Sequence, residues 1–441
     1  MPDFPYARLR RFPDVEAPNL QAWDATDEIL AAHAITHATE RGVPGSDIAV
    51  IGDGFGALTL ALTAAGLSGV RVHQDLVTGR RALAHNAAAL GLDGFGPAPG
   101  SAPGSAPSWE NGEPRGVSVS PPPGHADTDP DALRFPTEPA PFAGHELDRT
   151  LLDGARLVVL QLPKGLAELE EIADAVARWA TPGVVVAAGG RVKHMTLAQN
   201  EVLGRYFGRV QPQRAERKSR VILAADPRPV PSHPPFPVCS THADIARAWP
   251  ALTLCAHGAA FAGDRIDIGT RVLLEELSDR AADLAVLSER MRREHPGPFT
   301  ALDLGCGTGA LAAAFALAHP DARILATDRS AAAVRSARAT MAANGVAGRA
   351  AVSLDDAGSE LPAGSVDLVL LNPPFHLGVS VHEGAGRRLI DAAARLLRPG
   401  GEVWTVFNSH LDHRRALVSA VGETEQLRRT PKFTVTRSVR A

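Results

Sequence analysis

The sequence has few cysteines and aromatic residues, and it has no long hydrophobic run. The three cysteines among 441 residues lack Cys-x-x-Cys spacing and are odd in number, which argues against a disulfide framework and a cysteine-built metal site. We therefore expect no metal ion. No run of about 18 apolar residues occurs and the N-terminus has no apolar signal core, so we expect a cytoplasmic protein without a membrane segment. The aromatic content of 5% does not favour a broad stacking surface for single-stranded nucleic acid.

An excess of positive charge is also missing. Lys and Arg number 45 against 49 Asp and Glu, so the net charge is −4 and any binding of nucleic acid must be local. The hydrophobic fraction of 45% and the charged fraction of 21% are typical of a folded protein. A chain of this length predicts two or three globular units, each large enough to bury a core.

Two segments are rich in the residues that interrupt regular structure. Residues 94–147 contain 12 Pro and 8 Gly in 54 positions, which predicts a disordered insertion. Residues 226–238 contain six Pro in 13 positions, which is typical of a stiff linker between domains. We therefore predict a first domain over residues 1–225 and a second over residues 239–441.

The two halves are related by an internal repeat. Residues 48–58 (IAVIGDGFGAL) align with residues 301–311 (ALDLGCGTGAL) at an offset of 253, and Asp75 aligns with Asp328 at the same offset. Residues 157–164 (LVVLQLPK) align with residues 368–375 (LVLLNPPF) at an offset of 211, which the insertion explains. Short apolar strands alternate with helices in each half, which predicts a duplicated α/β domain with a parallel sheet covered on both faces.

A glycine-rich turn in the second half is typical of a nucleotide-like ligand site. The segment DLGCGTG follows a strand and opens a helix, so its glycines allow close approach of a ligand to free backbone N–H groups. Asp328 stands 19 residues after Gly309, at the end of the next strand, where a carboxylate can accept hydrogen bonds from both hydroxyls of a ribose.

The tetrapeptide NPPF follows a later strand and predicts a site for an amine. The side-chain oxygen of Asn372 and the backbone carbonyl of Pro373 can both accept from one NH2 group, and Phe375 offers a ring for a planar substrate. The lone pair of an exocyclic amine is delocalised into its ring, and two acceptors favour a more tetrahedral nitrogen. We expect Asn372, Pro373 and Phe375 to be catalytic.

Together, DLGCGTG and NPPF resemble the motifs of class I S-adenosylmethionine-dependent methyltransferases that act on amine nitrogen. The whole chain resembles the bacterial ribosomal RNA guanine-N2 methyltransferases, which comprise methyltransferase C of the small subunit and methyltransferase G of the large subunit. Further segments that fit are FAGDRIDIGTRVLLE (261–275), LRPGGEVWTVFNSHL (397–411), TPKFTVTRSVRA (430–441) and GRVKHMT (190–196). The resemblance implies tandem Rossmann-like class I methyltransferase domains with a degenerate first copy, and a monomer that acts on ribosomal RNA, a ribosomal subunit or an assembly intermediate.

The resemblance also assigns cofactor roles to residues of the second copy. It implies that Asp303, Gly305, Gly307 and Gly309 surround the methionine part of S-adenosylmethionine and that Asp328 binds its ribose. Either Asp355 or Asp356 would contact the adenine amine.

The first copy has lost the residues that carry this chemistry. Val50 stands opposite Asp303, and QLPK (161–164) stands opposite NPPF, so we expect cofactor binding in the second half alone. A basic segment of the first copy is the candidate RNA-binding surface. Its members are Arg205, Arg214, Arg217, Lys218 and Arg220.

Two other functions remain open from the sequence. The same tetrapeptide serves methylation of adenine N6 or of a protein glutamine. A non-catalytic RNA-binding or ribosome assembly protein, with both copies degenerate, is a hypothesis of another class.

Overall fold

The computed structural model describes residues 4–92, 96–97, 109–110, 113–114, 140–243, 245, 249–373 and 379–441. In the first half the strands are β1 (Ile48–Ile51), β2 (Val70–His73), β3 (Gly96–Pro97), β4 (Trp109–Glu110), β5 (Glu113–Pro114), β6 (Phe142–Gly144), β7 (Leu157–Gln161), β8 (Val185–Arg191), β9 (Phe207–Pro212) and β10 (Ser219–Pro227). The helices there are α1 (Ala25–Arg41), α2 (Ala57–Ala64), α3 (Val77–Leu90), α4 (Arg149–Leu152), α5 (Leu166–Trp179) and α6 (Leu197–Tyr206).

The second half continues the same alternation of strands and helices. Its strands are β11 (Val238–His242), β12 (Leu252–Ala256), β13 (Thr300–Leu304), β14 (Arg323–Asp328), β15 (Ala350–Leu354), β16 (Val366–Leu371), β17 (Leu397–Asn408), β18 (Thr424–Arg429) and β19 (Phe433–Val439). Its helices are α7 (Ile268–Asp279), α8 (Ala281–Glu294), α9 (Ala310–Ala318), α10 (Ala331–Ala343), α11 (Val379–Leu396) and α12 (His413–Ala420).

The two large sheets have the same strand order, which confirms the predicted duplication. The order is β3-β6-β2-β1-β7-β8-β10-β9 in the first sheet and β15-β14-β13-β16-β17-β19-β18 in the second, so the two differ by the short strand β3. Each sheet is parallel except at one end, where β10 or β19 runs antiparallel to both neighbours. This reversal departs from the parallel sheet predicted from the sequence. Only three residues connect β18 to β19, too few for the crossover that a parallel pair requires.

Each central strand contributes to two hydrophobic cores because its side chains alternate between the faces of the sheet. Ala301 of β13 packs into the core beneath α7 and α9, whereas Leu302 and Leu304 pack into the core beneath α11. All five residues of β13 are buried. This double burial explains why the strands read as continuous apolar runs in the sequence.

The predicted insertion ends earlier than residue 147. The strand Phe142–Gly144 pairs in parallel with β2, and Phe142 is fully buried. Burial of Phe142 and pairing with β2 therefore order residues that the composition alone assigned to the insertion. The prediction for residues 94–95, 98–108, 111–112 and 115–139 lies outside the described residues.

The exclusion of a disulfide was wrong. Cys239 and Cys255 form a disulfide across the hairpin of β11 and β12. They stand directly opposite each other in the register of that hairpin, which residue counting along the chain does not reveal. Val238, assigned to the linker, begins β11, and the division of the chain into domains at residues 226–238 remains a prediction.

The two halves meet where the repeat-related strands β2 and β14 end. The amide of Val77 donates to the carbonyl of Arg329 at 2.8 Å, and the amide of Ala331 donates to the carbonyl of Asp75 at 2.9 Å. The Asp75 carboxylate also accepts from the amide of Ala332, in the first turn of α10, at 2.8 Å. The first half therefore caps a helix of the second.

A second contact between the halves centres on Glu171 of α5. Its carboxylate accepts from the amide of Gly258 at 2.7 Å and pairs with His257 Nδ1 at 2.6 Å and Arg335 at 3.4 Å. Burial raises the pKa of Glu171, but the hydrogen bond from His257 and the Arg335 charge outweigh this effect and lower it. The carboxylate is thus held ionised at the contact. Within the described ranges, no helix is long and apolar enough to cross a membrane.

Candidate active site

A cavity of about 600 Å³ lies at the carboxyl ends of β13, β14 and β16. This volume suits a small organic ligand, and the carboxyl ends of parallel strands are where such folds bind ligands. The predicted residues that line it are Asp303, Gly305, Gly307, Asp328, Asp355, Asp356, Asn372 and Pro373. Pro374 and Phe375 lie outside the described residues.

The glycine turn after β13 forms one wall of this cavity. Gly305 and Gly307 have φ of 80° and 55°, the left-handed region that favours glycine. A Cβ built on either would meet nothing within 4 Å, so the space above the turn is free for a ligand. Gly309 is needed for a different reason, because a Cβ there would lie 3.0 Å from the Cβ of Ala337 on α10.

Asp303, the last acidic residue before the turn, is almost completely buried. Its carboxylate accepts from the amide of Ala312 in α9 at 3.0 Å. Burial is the main cause that raises the pKa of Asp303 to about 7; the bond from Ala312 opposes the shift, and the nearby charge of Asp328 adds to it. A cation in the cavity would favour the ionised form.

Asp328, the last residue of the neighbouring strand β14, holds the glycine turn in place through a hydrogen bond. One carboxylate oxygen accepts from the amide of Gly307 and the other from the amide of Ser330, both at 2.9 Å. Burial raises the pKa of Asp328 in spite of these two bonds. Each oxygen keeps a second lone pair, so the carboxylate can still accept from hydroxyl groups of a ligand.

Asp355 and Asp356 lie after β15 and differ in their contacts. Asp355 accepts from the hydroxyl of Ser359 at 2.6 Å and from the amide of Glu360 at 3.0 Å, so its two oxygens hold the following turn. Asp356 forms an ion pair with Arg388 of α11. Burial raises the pKa of Asp356, and the charge of Arg388 counteracts that rise.

Asn372 follows β16 and presents an acceptor without a partner. Its amide nitrogen donates to the carboxylate of Asp267 at 3.1 Å and to the hydroxyl of Thr270 at 2.9 Å. Its side-chain oxygen Oδ1 is buried and accepts no hydrogen bond within the described part of the chain. Buried acceptors are rarely left unpaired, so this oxygen is available to a donor on a ligand in the cavity.

The first half also lines the cavity, whereas cofactor binding by the second half alone stays a prediction. The residues it contributes are Arg11, Asp14, Val15, Asp75 and Leu76. They were not predicted, because the N-terminal segment carries no motif and Asp75 was identified only as the counterpart of Asp328. No role was predicted for Asp267 and Thr270 either, although both lie in the segment FAGDRIDIGTRVLLE.

The corresponding turn of the first copy is less open, because a Cβ on Gly52, which corresponds to Gly305, would lie 3.1 Å from the carbonyl oxygen of Gln161. The guanidinium of Arg11 lies 4.4 Å from the centre of the Phe55 ring, and Phe55 corresponds to Thr308 in the repeat. Gln161, which corresponds to Asn372, donates to Asp27 of α1. The first copy therefore differs from the second at the glycine turn and at the position of Asn372.

Ion pairs compensate part of the positive charge of the predicted basic surface in the first half. Arg205 pairs with Glu170 at 3.1 Å, and Arg217 pairs with Glu28. Arg220 is half-buried. The exposed side chains of Arg214 and Lys218 form no ion pair within the described ranges. No group of three or more His, Cys, Asp or Glu among the described residues could hold a metal ion.

Comparisons with known proteins agree with this architecture. Residues 251–437 match the methyltransferase small domain, and residues 3–96 and 138–228 match the RLMG N-terminal domain. The chain is 33% identical over 436 residues to the ribosomal RNA large subunit methyltransferase G of Streptomyces coelicolor, covering 98% of this chain and 97% of that protein. A relative of the same name from Ectopseudomonas mendocina is also 33% identical, with 99% of each chain covered.

A solved structure has the same fold across its whole length. It is the 16S rRNA N2 methyltransferase RsmC of T. thermophilus, solved with AdoMet and guanosine, with a TM-score of 0.66, 19% identity and 99% coverage of both chains. Fold and site together define an S-adenosylmethionine-dependent methyltransferase of the tandem Rossmann-like type. With a third of its residues identical over nearly the full length, the chain belongs to the ribosomal RNA large subunit methyltransferase G family.

The residues of the cavity fit this cofactor. The open space over Gly305 and Gly307 accommodates a ligand chain, and Asp303 offers negative charge to an ammonium or sulfonium group. The free lone pairs of Asp328 suit the two hydroxyls of a ribose. Asp355 and Asp356 both line the cavity, and a contact of one of them with the adenine stays a prediction.

Because the pKa of Asp303 is raised, the free energy of unfolding of the cofactor-free protein should decrease as this carboxyl ionises. A carboxyl with a pKa of about 7 in the folded state and about 4 when unfolded loses its relative stabilisation as the pH rises through 7. Between pH 5 and pH 8 the free energy of unfolding should fall by about 3 kcal/mol more in the wild type than in Asp303→Asn. Urea unfolding at both pH values measures this difference. An equal change in the free energy of unfolding between pH 5 and pH 8 for the two proteins would refute the prediction.

Proposed function

We propose that this protein transfers a methyl group from S-adenosylmethionine to the N2 amine of a guanosine in ribosomal RNA. The observation that carries the proposal is the unpaired, buried Oδ1 of Asn372 at the wall of the cavity. An exocyclic amine supplies the donor that this oxygen lacks. Pro373, also at the wall, adds a second acceptor through its backbone carbonyl.

The chain's own residues act by positioning and by polarising the amine. Bound S-adenosylmethionine supplies the electrophilic methyl group. Asn372 Oδ1 and the carbonyl of Pro373 hold the two hydrogens of the amine, which localises its lone pair on nitrogen. The transfer would leave S-adenosylhomocysteine, and the methylated nitrogen would then lose its extra proton to water, so no general base is required before it. Holding both partners in one cavity accounts for most of the acceleration. The guanine must leave its stack to reach the cavity.

One comparison favours ribosomal RNA as the substrate, and a second favours guanine as the base. The relatives over the full length bear the name of a ribosomal RNA methyltransferase, and the structure that shares the fold was solved with guanosine and is named for N2. Adenine N6 and glutamine also present an NH2 group, and they are the competing products that the assay must distinguish. A ribosomal RNA substrate would place the protein in the cytoplasm.

The test is methyl transfer from labelled S-adenosylmethionine to ribosomal RNA isolated from a strain that lacks the protein. Nucleoside digestion and mass spectrometry should identify N2-methylguanosine, with the label in large-subunit RNA. Naked RNA, subunits and ribosomes are assayed side by side. N6-methyladenosine, or label in protein alone, would overturn the proposal.

RNA binding by the first domain is proposed to use the hairpin between β9 and β10. Arg217 and Lys218 have φ of 47° and 62° at the tip of this hairpin, a left-handed conformation that non-glycine residues rarely adopt. Because Glu28 and Glu216 contact Arg217, its charge is partly compensated. We infer that Arg214 and Lys218 are the cations available to RNA phosphates.

The double variant Arg214→Glu and Lys218→Glu should bind RNA more weakly at low salt. The salt dependence of log K should flatten by about 0.7–0.9 for each phosphate that is no longer neutralised. Affinity for S-adenosylmethionine should not change. The matched control reverses the exposed Arg292 and Arg293 on α8. Equal effects in the two variants would mean that net charge, not this hairpin, governs RNA binding.

A further inference from the structure

We propose that Asp267 and Thr270 are positioning residues for the reaction. They fix the side-chain amide of Asn372 in the one orientation that turns its oxygen toward the substrate amine. This inference rests on the proposed function of Asn372. It assigns a role to the segment before and within the first turn of α7, for which the sequence offered only a resemblance.

The start of α7 brings both residues to Asn372. Asp267 is the N-cap of this helix, and its Oδ2 accepts from the amides of Gly269 at 2.9 Å and Thr270 at 3.3 Å. The same oxygen accepts from Asn372 Nδ2 at 3.1 Å, and the Thr270 hydroxyl lies 2.9 Å from that nitrogen. The helix start therefore accepts two hydrogen bonds from the NH2 end of the amide, and its Gly269 lies beside the oxygen without a hydrogen bond to it.

The chemistry of the carboxylate makes this contact directional. An ionised Asp267 can only accept hydrogen bonds, so it attracts the NH2 of Asn372 and repels its oxygen. Rotating the amide by 180° would set Oδ1 against the carboxylate and turn two donors toward the substrate amine. Such a rotamer could not accept from that amine. Asp267 thus selects the acceptor orientation, and Thr270 reinforces it.

Gly269 keeps the selected oxygen accessible. A Cβ at position 269 would lie 3.1 Å from Asn372 Oδ1 and 3.1 Å from Asp267 Oδ2, closer than ordinary contact. A side chain there would crowd the oxygen that the substrate must reach. The absence of a side chain at Gly269 and the two hydrogen bonds donated by Asn372 Nδ2 therefore favour the same orientation of the Asn372 amide.

The first copy provides a matched control. Its Gln161 donates to Asp27, which lies in the first turn of α1 as Thr270 does in α7. This pair lies in the copy whose glycine turn is less open. Removing the hydrogen bond between Gln161 and Asp27 measures how much such a contact contributes to folding. The amine site around Asn372 is left unchanged.

The test uses the full-length protein with Asp267→Ser, Thr270→Val and Thr270→Ser. Ser is a good N-cap, so Asp267→Ser should keep the helix. Its shorter hydroxyl can both donate and accept, so it no longer selects one orientation of the Asn372 amide. We expect kcat to fall about tenfold in Asp267→Ser and about threefold to tenfold in Thr270→Val, the scale of one net hydrogen bond. Thr270→Ser, which keeps the hydroxyl, should retain activity. KM for RNA and Kd for S-adenosylmethionine should stay within about twofold of the wild type, and Asp27→Ala should not change kcat.

A double-mutant cycle with Asn372→Ala separates positioning from general structural support. If Asp267 acts through Asn372, Asp267→Ser should lower kcat no further when Asn372 is already alanine. Additive losses in the cycle, or a kcat unchanged by both Asp267→Ser and Thr270→Val, would overturn the inference. Full activity of Asn372→Ala alone would instead refute the proposed amine site, so the two failures are distinguishable.

Discussion

Replacing Asn372 by alanine should lower kcat for methyl transfer by about 10²–10³, the range found when one preorganised hydrogen-bonding group is removed from an active site. The side chain contributes the acceptor that is unpaired in the structure, and nothing else on the described wall replaces its position. Binding of S-adenosylmethionine should persist, because the glycine turn and Asp328 remain. Single-turnover methyl transfer at saturating RNA measures the effect on the chemical step.

The control for this experiment is Gln161→Leu, the corresponding position of the first copy. That residue lies outside the cavity of the second copy and donates to Asp27, so turnover should stay at the wild-type level. Calorimetric titration with S-adenosylmethionine shows whether the Asn372 variant is folded and binds cofactor. Wild-type turnover by Asn372→Ala would eliminate the amine-clamp mechanism for every substrate considered.

Replacing Asp328 by alanine should raise the Kd for S-adenosylmethionine by about 10² or more. Two hydrogen bonds to a charged acceptor contribute about 1.5–3 kcal/mol each, and alanine removes both from the ribose. The variant also leaves the amides of Gly307 and Ser330 without their acceptor, which loosens the turn. The two effects act in the same direction.

Calorimetry with S-adenosylmethionine and with S-adenosylhomocysteine should show the same loss, since the two ligands share the ribose. Asp321→Ala is the control, because Asp321 is exposed on the same domain. If the adenosylhomocysteine affinity of Asp328→Ala equals that of the wild type, Asp328 does not bind the ribose. Circular dichroism before titration checks that the variant is folded.

The sequence predicted the part of the site that comes from local motifs on successive parallel strands. Asp303, Asp328 and Asn372 end or follow three neighbouring strands, and parallel strands bring their carboxyl ends to one edge. The internal repeat predicted the second sheet from the first. Both predictions depend on hydrophobic pattern and chain order, which the sequence displays directly.

The remaining features depend on how separate elements meet. The contact between Asp267 and Asn372 spans 105 positions, and it exists because α7 begins beside the end of β16. The disulfide required the register of a hairpin between Cys239 and Cys255. The approach of Asp75 to Ala332 follows from the docking of two domains, which no local pattern encodes.

The shared wall of the cavity has a thermodynamic consequence. Because Arg11 and Asp75 come from one copy and Asp303 and Asp328 from the other, a ligand that contacts both walls is bound most tightly when the copies are docked. By reciprocity, such a ligand stabilises the docked arrangement by the same free energy. Binding of such a ligand would thus tie the docking of the divergent first copy to the occupancy of the cavity in the second.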